Sequence, residues 1–400
     1  MNATTWRSAS IIILLSAAFL LAIASLWVPI NFSSYDAYRE VSLFTGLKSR
    51  ALLGTLAQLF RLGPVEFNLL VLGTLYCWLS MLLYQLYRSL FATRKTSLNS
   101  TMIFVGLGYI FSISTVTVIT YSSAGFIDVV PYSLVACAAL LSERITPAIN
   151  IKLIAGISLL LILGVMSHEK TLFDLGILAT WICWKLGFRQ MLINMMPATM
   201  AAIVFLMSVP GEGSAGLSPS EYLDILLSGL SFLNSWSFNL WGILAGGGAL
   251  WILYPLLARP FIDSANDSHA RLKRTVTVVV MLALCLLPLL VAADTNRMVG
   301  VIWLPVFLLL GQVDLGKVFH GPVRTAGLIG LCMYQFAIPP ALIYSHGIIP
   351  FNCYSLAIVN KLPKEADIVP QLMGPFGLYE IARANRNRPW RQECSGLTGK

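Results

Sequence analysis

The stretch that decides the fold class is residues 151–185, which read IKLIAGISLLLILGVMSHEKTLFDLGILATWICWK. Two apolar runs, 151–166 and 171–185, enclose one polar turn, Ser167-His168-Glu169-Lys170. Runs of about 15 residues reach only about 24 Å as helices, whereas the hydrocarbon core of a bilayer is about 30 Å thick. The pattern therefore predicts two short membrane-spanning helices whose connecting turn is recessed below the headgroups. The alternative is an ordinary tight turn whose His and Lys side chains reach the surface.

The composition agrees with lipid as the main solvent of the chain. Of 400 residues, 57% are hydrophobic and only 11% are charged, whereas a soluble domain carries about 25% charged residues. The net charge of +9 fits cations in short cytoplasmic loops, which set the orientation of membrane proteins. Motifs of nucleic-acid-binding modules are absent from the sequence, so we predict no nucleic-acid partner.

Apolar runs recur along most of the chain. They predict an all-α fold, a polytopic transmembrane helix bundle of about eleven spans. The first run follows Arg7 but is too long for a cleaved signal peptide, so we interpret it as a span. The predicted spans are 8–29, 66–90, 100–120, 127–142, 151–166, 171–185, 190–209, 237–257, 275–293, 298–313 and 324–345.

Lys and Arg residues orient the predicted bundle. The loops after the second, fourth, sixth, eighth and tenth spans all carry cations, so the positive-inside rule predicts a cytoplasmic N-terminus. The first outer loop, 30–65, departs from the rule because it carries Arg39, Lys48, Arg50 and Arg61; binding of an anion would explain this. Residues 50–61 have apolar positions at helical spacing with an Arg at each end, which predicts a helix in the membrane interface.

Two domains follow from this topology. Residues 1–345 form the transmembrane bundle with a polar cavity at its outer face, and residues 346–400 form an extracytoplasmic C-terminal tail. Cys353 and Cys394 lie in that tail, where an oxidising compartment would permit a disulfide; their geometry stays open at this stage.

The first outer loop supplies the first group of candidate site residues. Asp36 follows the first span directly and has aromatic and cationic neighbours, namely Tyr35, Tyr38, Arg39 and Arg50. A carboxylate next to cations is a suitable general base beside an anion site. A solvated loop is the alternative reading.

Two polar turns supply the remaining candidates. In the first, His168 and Glu169 are alternative bases and Lys170 is a cation for a phosphate group. In the second, Asp294 can cap the tenth span and leave Arg297 to bind phosphate, or the two can neutralise each other at i, i+3 spacing. No motif indicates a cofactor or a metal; a divalent cation is compatible with the layout but nothing points to one.

This layout resembles the GT-C superfamily of lipid-linked-sugar glycosyltransferases and the Wzy-type polymerases of bacterial surface polysaccharides. The resemblance rests on Asp36 after the first span, the Arg50–Arg61 helix, and the turns at 168–170 and 294–297. It implies a multi-pass protein of the bacterial inner membrane that uses a polyprenyl-phosphate-linked saccharide at the outer face, in O-antigen, capsule or exopolysaccharide biosynthesis. It also implies a complex with polysaccharide export machinery.

The resemblance assigns roles to the candidates. Arg50, Lys170 and Arg297 would stabilise the departing phosphate, and Asp36, or alternatively His168 or Glu169, would accept the proton of the acceptor hydroxyl. Tyr35 and Tyr38 would stack on sugar rings.

Two other functions remain open at this stage. One is a transporter or flippase for an anionic or lipid-linked substrate, although the halves of the chain show no matching hydropathy. The other is a non-catalytic assembly subunit, in which the polar turns would be dispensable.

Overall fold

The computed structural model describes residues 41–44, 50–91, 98–112, 128–208, 243–244, 246–290, 299–337, 341–344 and 347–350. Within these ranges the regular secondary structure is helical except for one short β hairpin. The helices are α1 (Ala51–Leu59), α2 (Pro64–Phe91), α3 (Leu98–Ser112), α4 (Val129–Ser142), α5 (Ile151–Ser167), α6 (Thr171–Leu186), α7 (Phe188–Ser208), α8 (Ala249–Asp263), α9 (Ser268–Leu286), α10 (Trp303–Leu310), α11 (Leu315–Val318) and α12 (Pro322–Ala337). Short 3₁₀ helices follow α9 (Leu287–Leu290) and precede α10 (Val299–Ile302).

Tight connections make α4, α5, α6 and α7 run antiparallel. Asn150 caps the start of α5, since its side chain accepts a hydrogen bond from the Leu153 N–H at 3.2 Å. Only three residues separate α5 from α6. Gly187 ends α6 with a φ of 91°, a conformation that glycine adopts without steric cost. As a result, the N-termini of α4 and α6 and the C-terminus of α5 meet at one end of the bundle.

The core is centred on α10, in which every residue is buried. Behind the meeting point of the helix ends lies an aromatic group from three helices. The ring centroid of Tyr132 on α4 is 6.1 Å from that of Trp78 on α2 and 5.3 Å from that of Trp303 on α10. Aromatic contacts of this kind stabilise a rigid wall, here directly behind residues 128 and 168–170.

Two helices, α2 and α7, are long and apolar enough to cross a membrane; α4, α5 and the segment Val299–Leu310 are apolar but shorter. The all-α class is therefore confirmed for the described residues, and the bundle of about eleven spans stays a prediction. The predicted first span and residues 351–400 lie outside the described residues.

Several predicted bounds agree closely with the structure and three were wrong. The runs at 66–90, 151–166 and 171–185 correspond to α2, α5 and α6. The predicted span 237–257 ends too early, because α8 continues to Asp263. The predicted span 275–293 starts too late, because Asp267 accepts a hydrogen bond from the Ala270 N–H at 2.7 Å and caps a helix that begins at Ser268.

The third wrong bound is the end of the last predicted span, 324–345. The helix α12 ends at Ala337, and β1 (Ala341–Tyr344) pairs antiparallel with β2 (Gly347–Pro350). Pro339 and Pro340 follow the helix in the sequence, and proline cannot continue the helical hydrogen bonds. The apolar run in the sequence therefore extends beyond the end of the helix.

The helix predicted at 50–61 is present as α1. Ala51, Leu53 and Ala57 face the core, whereas Leu59 and the following Phe60 are exposed. Arg50 and Arg61 flank the helix and are the two non-glycine residues in the described part of the chain with positive φ, at 63° and 51°. Left-handed backbone in such residues costs of order 1–2 kcal/mol, and it is common at functional sites.

Candidate functional site

Ionisable side chains from α1, α4, α6 and the α5–α6 turn gather at one end of the bundle. We call this group the buried polar cluster. Its members come from positions far apart in the chain and are largely or fully buried. They are Arg50, Asp128, Tyr132, His168, Glu169, Lys170 and Asp174.

Arg50 and Glu169 form the most exposed part of the buried polar cluster. Arg50 Nε donates to Glu169 Oε2 at 3.1 Å, and Arg50 Nη2 donates to the other carboxylate oxygen. Their side chains are 22% and 12% exposed. A two-point contact of this kind fixes the orientation of the guanidinium as well as its position, so Glu169 holds the N-terminal end of α1 against the turn.

Lys170 is almost completely buried and pairs with Asp128. The Lys170 Nζ lies 2.5 Å from Asp128 Oδ1 and donates to the Tyr132 hydroxyl oxygen at 3.0 Å. A buried charge is tolerated when it is paired and hydrogen-bonded. Asp128 is the N-cap residue of α4, but its side chain makes no capping hydrogen bond. Its carboxylate instead neutralises Lys170.

His168 is neutral at pH 7. Burial lowers the pKa of this fully buried imidazole to about 3, against the opposing charges of Glu169 and Asp128. The Lys170 backbone N–H donates to His168 Nδ1 at 3.3 Å, which assigns the proton to Nε2. His168 Nε2 lies 3.5 Å from Asp128 Oδ1, so its N–H faces the carboxylate that Lys170 also contacts.

Glu169 stays ionised. Burial alone would raise the pKa of its carboxyl group, but His168 and the hydrogen-bonded Arg50 guanidinium outweigh burial and hold that pKa well below its ordinary value. Because His168 is neutral at pH 7, Arg50 provides this stabilisation under physiological conditions.

Asp174 lies one helical turn after Lys170, in the first turns of α6. Its side chain is fully buried. Among the described residues neither of its carboxyl oxygens has a hydrogen-bond partner, and the hydroxyl of Thr171 on the same helix has none either. Buried polar atoms are nearly always paired, so Asp174 is the exception in the buried polar cluster.

The structure brings together four of the predicted site residues, namely Arg50, His168, Glu169 and Lys170. The other predicted residues lie outside the described residues. They are Tyr35, Asp36, Tyr38, Arg39, Asp294 and Arg297.

Sequence reasoning missed Asp128 and Asp174. The predicted topology already placed Asp128, at the start of the fourth span, on the same side as the 168–170 turn. Asp174 lies inside the run predicted as a span, and an ionisable residue within a span is by default a functional signal. That rule would have identified it.

A second polar group lies at the other ends of α4 and α6, and we call it the opposite-end cluster. Glu143, which follows α4, accepts a hydrogen bond from Gln85 Nε2 at 2.9 Å and pairs with Arg88. The Lys185 Nζ donates to the Glu143 backbone carbonyl at 2.8 Å. Arg88 is 46% exposed, so this cluster is open to its surroundings.

The described ranges contain no group of three or more His, Cys, Asp or Glu side chains placed to hold a metal ion. In comparisons with known proteins, the chain matches no protein-family model, no curated protein and no solved structure.

Proposed function

We propose that this chain is a polytopic enzyme of the bacterial inner membrane that transfers a saccharide from a polyprenyl-phosphate-linked donor at the outer face, in surface polysaccharide biosynthesis. The observation that carries the proposal is the Arg50–Glu169 pair. It places an oriented, partly exposed guanidinium at the mouth of a buried ionic group. Guanidinium forks suit phosphate oxygens.

The apolar exterior supports the membrane setting. On α7, large apolar side chains such as Met196, Val204 and Met207 are exposed, and this pattern suits contact with lipid. The 14 residues of α4 separate the two polar clusters by about 21 Å at 1.5 Å per residue. A phosphate near Arg50 would then lie close to one membrane surface while its polyprenyl chain stays in the lipid.

The proposed reaction is a displacement at the anomeric carbon of the donor sugar. The acceptor hydroxyl oxygen forms the new bond, the bond between that carbon and the phosphate oxygen breaks, and the polyprenyl phosphate or diphosphate leaves. We assign Arg50 to the leaving phosphate. Lys170 is buried against Asp128, so we assign it to positioning the turn instead of direct phosphate contact.

The proton of the acceptor hydroxyl needs a base. His168 fits this role poorly, because its Nδ1 is already engaged by the Lys170 N–H and its side chain is fully buried. Glu169 is held by Arg50. We therefore keep Asp36 as the proposed base; it remains a prediction from the sequence.

A second candidate function is proton-coupled transport of an anionic or lipid-linked substrate. The observation that favours it is Asp174, a buried carboxyl group within a helix. Such groups often form proton relays in pumps and transporters.

Purified protein in nanodiscs, supplied with radiolabelled polyprenyl-linked saccharide and acceptor, tests the proposal. Arg50→Lys keeps the charge but loses the fork, so product formation should fall roughly 10–100-fold, as for one charge-assisted hydrogen bond. Asp36→Asn should lower it by about 10²–10⁴-fold. Arg88→Lys makes the same exchange in the opposite-end cluster and serves as the matched control.

Normal turnover by Arg50→Lys and Asp36→Asn would refute the assigned roles. Transbilayer movement of the lipid-linked saccharide by the wild type, without any glycosyl transfer, would instead favour the transporter.

A further inference from the structure

We propose that Asp174 is a buried proton-binding site that carries a proton at neutral pH. The proposal does not depend on which substrate the protein uses. It rests on the position of this carboxyl group, its burial and the charges that surround it.

The charges near Asp174 are already paired with each other. Lys170 and Asp174 are at i, i+4 spacing, where Cβ atoms lie about 5–6 Å apart. The Lys170 ammonium, however, is 2.5 Å from Asp128 and hydrogen-bonded to Tyr132. An ionised Asp174 would give this group of two carboxylates and one ammonium a net negative charge without contact with water. One added proton makes the group neutral.

Among the described residues, the helices packed on α6 bring no cation to this depth. From α4 comes Tyr132, and from α9 comes Cys285, whose thiol interacts with Asp174. The charged residues of these helices lie at the far ends. They are Lys152 on α5, Arg189 on α7, and Arg271, Lys273 and Arg274 on α9. α10 carries no titratable residue.

The dipole of α6 opposes protonation of Asp174, but it is too weak to prevent it. Asp174 lies near the N-terminus of α6, where the helix dipole favours an anion by about 0.3–1 kcal/mol at exposed sites and by no more than about 2 kcal/mol. The effective cost of removing an ion from water is several kcal/mol. Burial therefore prevails over the dipole.

A monovalent cation is a weaker occupant than a proton. Asp174 and Thr171 are at i, i+3 spacing on one helix face and together offer three unpartnered oxygens within the described residues. The Lys170 ammonium beside them would repel a metal ion. A proton needs only a single carboxyl oxygen.

Infrared spectroscopy of the protein in nanodiscs at neutral pH tests the site. The wild type should show the carbonyl stretch of a protonated carboxylic acid, shifted in heavy water, and Asp174→Asn should lose that band. Asp263→Asn, which changes an exposed aspartate on α8, is the matched control and should keep it.

Asp128→Asn provides a second test with Asp174 intact. Without Asp128, the Lys170 ammonium still has Asp174 as a neighbour at i, i+4 spacing, so Asp174 should ionise and the band should disappear. Absence of the band in wild type, its persistence in folded Asp174→Asn, or its persistence in Asp128→Asn would each overturn the proposal. If the wild type transfers no saccharide but shows the expected infrared pattern, the proposed enzyme activity is refuted and the proton site is still supported.

Discussion

The buried polar cluster and the opposite-end cluster share two helices but solve different physical problems. At one end of α4 and α6, Asp128 and Lys170 neutralise each other with almost no exposure. At the other end, Glu143 and Lys185 belong to a group that includes the half-exposed Arg88. Both clusters contain several charged side chains, but they differ in their access to water.

The difference in access determines what each cluster can do. An exposed ion pair contributes little, about 0–1 kcal/mol, and water can replace either partner. A buried pair costs several kcal/mol per ion in desolvation and remains only while every charge is matched. The opposite-end cluster can therefore exchange its partners with water, whereas the buried polar cluster depends on its internal pairing.

The largest expected effect comes from removing one buried charge. Lys170→Met leaves Asp128 without its counter-ion, so the free energy of unfolding should fall by about 3–5 kcal/mol. Lys185→Met, the same exchange at the other end of α6, removes a partly solvated hydrogen bond and should cost about 1 kcal/mol or less. Thermal unfolding in detergent measures both. Equal losses would erase the distinction between the clusters.

An intermediate effect comes from pH, through His168. Below its ordinary pKa of 6.5 the imidazole takes up a proton in the unfolded chain, whereas the folded form, with a pKa of about 3, stays neutral. The unfolded state then binds more protons at His168, so this residue should lower the free energy of unfolding by at most about 2 kcal/mol between pH 7 and pH 5. Asp174, which by the proposal above holds its proton only in the folded protein, acts in the opposite direction over the same range. Glu169 adds little in this range, because its pKa is 4.5 or lower in both states.

The measurement is the unfolding midpoint at pH 7 and pH 5. His168→Gln should remove the His168 contribution, so this variant should be more stable at pH 5, relative to pH 7, than the wild type. His269→Gln, at an exposed position on α9, should retain the wild-type slope. If His168→Gln keeps that slope as well, the buried imidazole is not its source.

The smallest expected effect concerns two glycines of α5, one near each cluster. A Cβ on Gly164 would lie 2.8 Å from Thr171 Cγ2, whereas one on Gly156 would meet nothing closer than 3.8 Å. Gly164→Ala should destabilise by about 1 kcal/mol net, since overpacking of about 1–3 kcal/mol exceeds the gain in helix propensity of about 1 kcal/mol. Gly156→Ala should stabilise.

Thr171→Ser removes the clashing methyl group and should restore the stability of the Gly164→Ala variant. Chemical denaturation of the two single variants and the double variant decides the matter. If the double variant is no more stable than Gly164→Ala, the contact between Gly164 and Thr171 is not where α5 and α6 pack most tightly.

The sequence predicted those parts of the fold that depend on local pattern. Polar residues bound the apolar runs of α2, α5 and α6 on both sides. Each run therefore has nearly the same bounds as its helix. At α9 they differ, because the helix starts at the Asp267 cap and includes the charged residues Arg271 and Lys273. Hydropathy assigns such residues to a loop, whereas capping and backbone geometry keep them helical.

The candidate site was predicted in part for the same reason. His168, Glu169 and Lys170 stand out against apolar neighbours and were found. The pairing of Lys170 with Asp128, and of Arg50 with Glu169 across 119 positions, depends on which helix ends meet. That information resides in the packing of α4 on α5 and α6, and of α1 on α5, and not in any single segment.

The complete burial of α10 has a consequence for the assembly of the protein. Its eight residues contact neither solvent nor lipid, so this helix has no outward face with which to settle by itself. It follows α2, α6 and α8 in the chain and packs against all three, so the groove that receives it is formed by segments synthesised earlier. A nascent chain halted before Val299 would lack Trp303 and would leave the Tyr132 and Trp78 rings without their third aromatic partner.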